Sequence, residues 1–397
     1  MALYPARAME RAMKIQEVIL RAMSKQISWL QAAEIIGISP RSMRRWKRRY
    51  EKHGYDGLYD RRLKRPSPKR VPVKTVERVL TLYREQYFDF NVKHFVEKLH
   101  EEHQIELSYS WVKKALQEGG LVAKASRRGK HRKKRPRRPL VGMLLHADAS
   151  KHAWLPGRAQ QDLIVVFDDA NSEVYYAQLV KEESTATMMT ALKEVIERQG
   201  IFCSLYSDRG SHFVYTPQAG GRPDRQRKTQ IGRALEQLGI ELIPANSPQA
   251  RGRCERLFGT WQGRLPQELR LRGIQSRKEA NQFLREYWIP LHNRQFTVAA
   301  QQEGTAFVPY AGSDLEKIFS KQCQRVVGND NTVTVGKLTL QIEPQKFRYT
   351  LAGCRVLVCR HLDGTWSLHY GPHLLGQYTA EGKLLKAGPA QRRRGVA

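Results

Sequence analysis

Three apolar segments in the middle of this chain each lead to an acidic residue, and that pattern limits the folds open to it. Leu144-Leu145-His146-Ala147-Asp148 reads as a buried strand that delivers an acid at its end. Ile201-Phe202-Cys203-Ser204-Leu205-Tyr206-Ser207-Asp208 has the same form, and Arg209-Gly210-Ser211 makes a tight turn after it. A third strand at Leu242-Ile243-Pro244 runs through a Pro/Gly-containing loop into a helix whose first turns hold Glu255. Between the first two acids, Asp162–Asp168 and Val174–Val180 form a β-hairpin turning at Asn171 and Ser172. A helix is predicted over Ser184–Gln199, capped by Ser184 or Thr185, with Met188, Met189, Leu192, Val195 and Ile196 as its apolar stripe. The order is three strands, helix, strand, helix, strand, helix. Asp168 and Asp169 fall at the hairpin turn, where Asp is ordinary, and are read as structural.

Charge narrows the chemistry. The chain has 69 Lys and Arg against 38 Asp and Glu, a net charge of +31 that favours a polyanionic partner. Residues 1–139 hold 35 basic and 14 acidic side chains, so most of that excess precedes the acid-bearing segment. Carboxylates gathered inside so basic a protein point to Mg²⁺ chemistry on a phosphate backbone. Mg²⁺ takes oxygen ligands and keeps several waters, so a few carboxylates and substrate phosphates suffice to hold it. Two ions roughly 3.5–4 Å apart would stabilise both the attacking and the leaving oxygen of an in-line displacement. No apolar run is long enough to span a membrane, and the N-terminal residues do not open a signal peptide. Five cysteines, none within the first 202 residues and none in a C-x-x-C pair, fit a reducing cytoplasm better than a disulfide framework.

The element order and its acids resemble the ribonuclease-H-like catalytic core shared by retroviral integrases and DDE transposases. Tyr206-Ser207-Asp208-Arg209-Gly210-Ser211-His212-Phe213 resembles the segment around the second catalytic acid. Pro248-Gln249, Gly252 and Glu255 resemble the flexible loop leading to the third. The run from Ser247 to Gln262 is similar to bacterial insertion-sequence transposases of the ISNCY group, a similarity that extends from about Trp46 to Phe296. The resemblance implies a DNA transposase in which Asp148, Asp208 and Glu255 are catalytic and hold Mg²⁺, as two ions, with Mn²⁺ able to substitute. Water would attack first and a freed 3′-hydroxyl second. Its partners would be the double-stranded terminal repeats and target DNA, bound by a homo-oligomer, in the cytoplasm and on the nucleoid. Two departures stand out. The 46 residues between Asp208 and Glu255 exceed the integrase spacing, the excess lying in Thr216–Lys228. Gln262 stands where many relatives are basic, so Gln249 with Arg256 or Arg264 is expected at the element end. A catalytically silent DNA-binding regulator and a structure-selective nuclease are the other classes these features allow.

The remaining regions complete a multidomain reading. Residues 1–62 form a helix-turn-helix: Gly37 makes the turn, Ser39 caps a second helix with Pro40 at its first position, and Met43 and Trp46 pack inward. Arg41, Ser42, Arg44, Arg45 and Lys47 would face DNA. Residues 72–122 read as a second helix-turn-helix or winged helix, with helices over Phe90–His103 and Ser108–Gln117 and a core of Phe95, Leu99, Trp111, Val112 and Leu116. Lys113 and Lys114 are its candidate contacts. Residues 123–139 form a basic linker with ten Lys/Arg in positions 124–138, among them Arg132, Lys133 and Lys134. The ribonuclease-H-like core takes 140–305. Short alternating runs at Thr332–Val335, Lys337–Ile342, Arg355–Cys359 and Thr365–Tyr370 suggest a small all-β barrel over 315–390.

Overall fold

The computed structural model describes residues 6–59, 70–124, 135–217, 224, 227–245, 251–345 and 347–385. It divides into two compact units, Met1–Val79 and Leu80–Ala397. In the first, α1 (Ala6–Met23), α2 (Trp29–Ile36) and α3 (Pro40–His53) bury Ile15, Val18, Ile19, Ala32, Ala33 and Met43 against one another. Ser28 and Gln31 form a reciprocal capping box at the start of α2. Gly37, at φ 72°, ends that helix in the left-handed region a side chain would disfavour, and Ser39 caps α3 with Pro40 behind it. This is the turn the sequence predicts; Trp46 is only half-buried.

A further helical group follows: α4 (Val73–Glu85), which carries the unit boundary, α5 (Val92–Glu101) and α6 (Tyr109–Glu118), the last two capped by Asn91 and Ser108. Phe95, Leu99, Val112 and Leu116 are buried as expected, while Trp111 stays half-exposed. The described residues 70–124 contain no strand, so no wing is present among them.

The central layer is a five-stranded sheet ordered β3-β2-β1-β4-β5. It is built from β1 (Leu145–His152), β2 (Gln161–Asp168), β3 (Val174–Val180), β4 (Ser204–Ser207) and β5 (Glu241–Pro244). The first three pair antiparallel; β4 runs parallel to β1, and β5 parallel to β4. Ser184 caps α7 (Thr185–Gln199), and α8 (Gln230–Gln237) joins β4 to β5. Alternation along β2 sorts the two cores: Ile164 and Val166 pack with α7 and α8, whereas Leu163, Val165 and Phe167 pack on the opposite face. That face is covered by α9 (Gly252–Gln262), α10 (Leu265–Leu271), α11 (Arg277–Phe283) and the turn leading to α12 (Ile289–Phe296).

After α13 (Leu315–Ile318) come β6 (Lys321–Val326), β7 (Thr332–Val335), β8 (Leu338–Gln341), β9 (Arg355–Arg360), β10 (Trp366–Tyr370) and β11 (His373–Tyr378). They do not close into the expected barrel. One sheet, β11-β10-β9-β6, keeps two free edges, and β7-β8 stands as a separate hairpin. Closure needs every strand paired on both sides; β6 and β11 each have one partner strand. The two sheets share one core through Val333, Leu340, Val356, Val358, Leu368 and Tyr378. The Gln230 carboxamide also bonds both the backbone N–H and the C=O of Gln322 in β6. No helix among the described residues is long and apolar enough to cross a membrane.

Candidate active site

Strand parity decides which face carries the acids. Leu145, Ala147 and Leu205 pack with α7 and α8, so His146, Asp148 and Tyr206 project to the α9 face. Parallel pairing of β1 with β4 consists of Leu145↔Leu205 and His146↔Tyr206. Asp148 and Asp208 each stand two residues beyond that last pair, in matching register where the ladder ends. Asp148 is nevertheless mid-strand, because β1 stays paired with β2 as far as His152. The sequence expectation of a strand end at Asp148 therefore holds only for the ladder with β4.

Arg251 lies between the two aspartates. Its Nη2 contacts both carboxylate oxygens of Asp148, and its Nη1 is 3.9 Å from Asp208 Oδ2. The Asp148 side chain is 7% exposed, those of Asp208 and Arg251 about a third. Burial pushes the Asp148 carboxyl above the usual carboxylate range; Arg251 opposes that rise and the neighbouring Asp208 adds to it. The Asp208 carboxylate also accepts the Gly210 N–H at 2.8 Å. A Cβ on Gly210 would fall 2.9 Å from Asp208 Oδ1 and 2.7 Å from His212 Cε1, so the turn needs glycine because a carboxylate and an imidazole close over it. His212 in turn pairs with Glu183 at 2.8 Å.

Glu255 sits in the first turn of α9, exposed, four residues after Arg251. Among the described residues, no three His, Cys, Asp or Glu side chains are grouped to hold a metal. The structure thus brings Asp148 and Asp208 together and leaves Glu255 outside the cluster. The donor set still fits a hard divalent cation: two oxygen-ligand carboxylates already face a shared positive charge, for which the guanidinium stands in.

Beneath this pair lies an anchor that sequence reasoning treated as an ordinary turn. Asp169 is fully buried and accepts hydrogen bonds from His146 Nε2 (2.7 Å), Arg253 Nη1 (2.5 Å), Arg135 and the Arg138 N–H (2.8 Å). A carboxylate only accepts, so His146 carries its proton on Nε2, and its Nδ1 is left to take the Cys254 thiol at 3.6 Å. Burial holds the imidazole neutral and the thiol protonated. The start of α9 is thereby tied to β1 and to the end of the basic linker. Asp168 is buried as well, accepting the Gly142 and Ala170 N–H groups.

Comparison with known proteins agrees over nearly the whole length. The chain is 30% identical over 369 residues to y4bF of Sinorhizobium fredii, a transposase by name, covering 92% of this chain and 80% of that one. This chain belongs to the transposase family. The transposase for insertion sequence IS1202 of Streptococcus pneumoniae is 28% identical over 364 residues, covering 83% and 78%. A helix-turn-helix domain family matches residues 16–67, and a homeodomain-like domain family matches 42–116. The catalytic core of HTLV-2 integrase, solved in complex with magnesium, aligns with 42% of this chain and 95% of that one at 15% identity and a TM-score of 0.30. The protein is a DNA transposase that carries helix-turn-helix modules.

The transposase's other expected contacts divide into available and engaged groups. Arg41, Arg44 and Arg45 are exposed on α3. Ser42 is spent on the cap of Ser39, and Lys47 pairs with Glu51 at 3.6 Å and lies over the Trp29 ring. Lys113 lies over Tyr109, and Lys114 pairs with Glu118 at 3.6 Å. Arg256 is exposed on α9. Arg264 is not free for the element end: it is buried, bonded to Glu97 and stacked over Phe296. Gln262 bonds Ser150. Arg132, Lys133, Lys134 and Gln249 lie outside the described residues. Arg251, Arg253 and Asp169 escaped sequence reasoning; the available signal was the spacing of Arg251, one helical turn before Glu255.

Proposed function

We propose that this transposase cleaves the ends of its insertion sequence and joins them to target DNA at a site formed by Asp148, Asp208 and Glu255. The observation that carries the reading is the in-register approach of Asp148 and Asp208, both aimed at one cation, with Glu255 on the helix beside them. Mg²⁺ bound there, as two ions and replaceable by Mn²⁺, would polarise phosphoryl oxygens and activate the attacking group. Asp148 would hold the cation from β1 and Asp208 from the turn directly after β4. Glu255 completes the set from α9, whose start Asp169 steadies through Arg253. Water attacks in line at the element end, and the freed 3′-hydroxyl attacks the target strand; no side-chain nucleophile is needed. The helix-turn-helix modules grip the terminal repeats through Arg41, Arg44, Arg45, Lys113 and Lys114, with Gln249, Arg256 and the linker residues Arg132, Lys133 and Lys134 closer to the cleaved end. Pairing two ends calls for a homo-oligomer on DNA, working in the cytoplasm on the nucleoid.

The test uses duplexes from the DNA flanking its gene, a target plasmid and Mg²⁺, read by gel. Wild type is expected to give joined products, and Glu255→Gln to lose them by at least about a hundredfold, as befits loss of a ligand to the ion that stabilises the reacting oxygens. Joining by folded Glu255→Gln at the wild-type rate would refute the assignment. End-specific binding without joining by wild type would favour the silent regulator.

A further inference from the structure

The positive charge facing the two aspartates belongs to the chain itself. We infer that Arg251 is a resident cation of this site: it holds Asp148 and Asp208 together while no divalent ion is bound, and it must withdraw for one to enter. The inference rests on the reading of both aspartates as metal ligands.

Geometry makes the two occupants exclusive. Arg251 Nη2 engages both oxygens of Asp148, and Nη1 faces Asp208, so the guanidinium uses the lone pairs a metal would need. Electrostatics explains why a cation sits there at all. A nearly buried carboxylate next to a second one is unfavourable when both are charged, and a guanidinium relieves that without a proton. Placement makes the contact reversible. Arg251 is the residue before α9, makes no side-chain cap bond to the helix, and is about a third exposed. Gly252 after it has open space where a Cβ would be, so no neighbouring side chain packs over the backbone at that point. Arg253 is the contrast: two residues on, its guanidinium is fixed to Asp169 and to the Arg135 carbonyl. One cation at the start of α9 anchors the helix; among the described residues, the other bonds the two acids. Arg251 and Glu255 are one turn apart, so withdrawing the first and advancing the second are movements of the same stretch of chain. Metal loading and completion of the acidic set become one event.

The test is a calorimetric titration of DNA-free, full-length protein with Mg²⁺ and with Mn²⁺, alongside melting in EDTA and in excess Mg²⁺. Arg251→Gln should bind metal about tenfold more tightly than wild type, the factor that a displaced pair worth about 1.4 kcal/mol would withhold. It should also melt lower than wild type in EDTA and gain more from Mg²⁺. Arg251→Lys, which keeps the charge, should stay close to wild type. Equal or weaker metal affinity in Arg251→Gln, or affinity in Arg251→Lys as tight as in Arg251→Gln, would overturn the gate. Asp148→Asn separates the two readings: loss of metal binding there keeps the site even if the gate fails, and unchanged binding refutes the ligand assignment itself.

Discussion

Asp169 is a single carboxylate that fixes three parts of the chain, and its removal should be felt as folding stability rather than as chemistry. Replacing it with Asn leaves the partly buried Arg253 and the more exposed Arg135 facing a neutral amide, at a cost of about 2 kcal/mol. Its pH dependence follows from the direction of its shift. His146, the Arg138 N–H and Arg253 outweigh burial and hold the Asp169 carboxyl well below the usual range. A depressed carboxylate pKa stabilises fully above its unfolded value, near 3.8, and loses that contribution as pH falls toward the folded value. Urea midpoints should therefore differ most between wild type and Asp169→Asn at neutral pH, and the gap should start to narrow only as pH falls below about 3.8; a constant difference down through the acid range would exclude this role. Asp148 and Asp208 were legible in the sequence because strand parity and register are written in apolar alternation. Asp169 was not, because an Asp at a hairpin turn looks the same whether solvent or two guanidinium groups surround it. Those cations arrive from residues 135 and 253, and local pattern carries no signal for them.

At the scale of elements, the second helical group is docked on the catalytic layer by charge. Glu268 on α10 accepts from His94 Nε2 (2.7 Å), Lys98 (2.9 Å) and Arg272, Glu97 bonds Arg264, and Asp89 bonds Arg270. Asn91 reaches the Gly263 carbonyl at 2.8 Å while also capping α5. Nothing in the local spacing announces this docking: Lys93 with Glu97 and Lys98 with Glu102 stand at i,i+4, the pattern of any solvated helix face. Glu268 is depressed to about 2, chiefly because His94 and Lys98 outweigh its burial. Its contribution is thus complete above its ordinary value of 4.5 and fades between there and about 2. Burial keeps His94 below its ordinary value, so it docks as the neutral imidazole at neutral pH. Glu268→Gln removes one of the two carboxylates that hold the buried Lys98 ammonium, Glu102 remaining at 2.8 Å, and should weaken docking by about 2 kcal/mol. Hydrogen exchange is the measure: amides of α5 should lose protection while those of β1 and β2 keep theirs, and equal protection in α5 would sink the idea. The failed barrel has a similar cause. β6 is polar and largely exposed, and β11 contains Gly376, so neither announced itself as a strand, and the sheet they complete is open.

For the whole molecule, a charge of +31 makes salt the main control of DNA affinity. Each phosphate contact that releases counterions adds about 0.9 to the steepness of log K against log salt. Among the described residues, Arg44 and Arg45 project from α3 with no partner that would compete with DNA, whereas Lys47 is already engaged by Glu51 and Trp29. If both arginines meet phosphates, Arg44→Ala/Arg45→Ala should flatten the slope by about 2 and weaken all sequences alike. If either reads a base edge, the slope falls by less, and the loss, about 1–3 kcal/mol per bidentate contact, concentrates on the terminal repeat. Titrating repeat and random duplexes over a range of salt distinguishes the cases; an unchanged slope with unchanged specificity would remove α3 from the interface. The two aspartates should be silent in this experiment: a variant altered only on α3 leaves the ion pairs of Arg251 with Asp148 and Asp208 untouched, so it should change how firmly the transposase holds DNA and leave its metal affinity as it was.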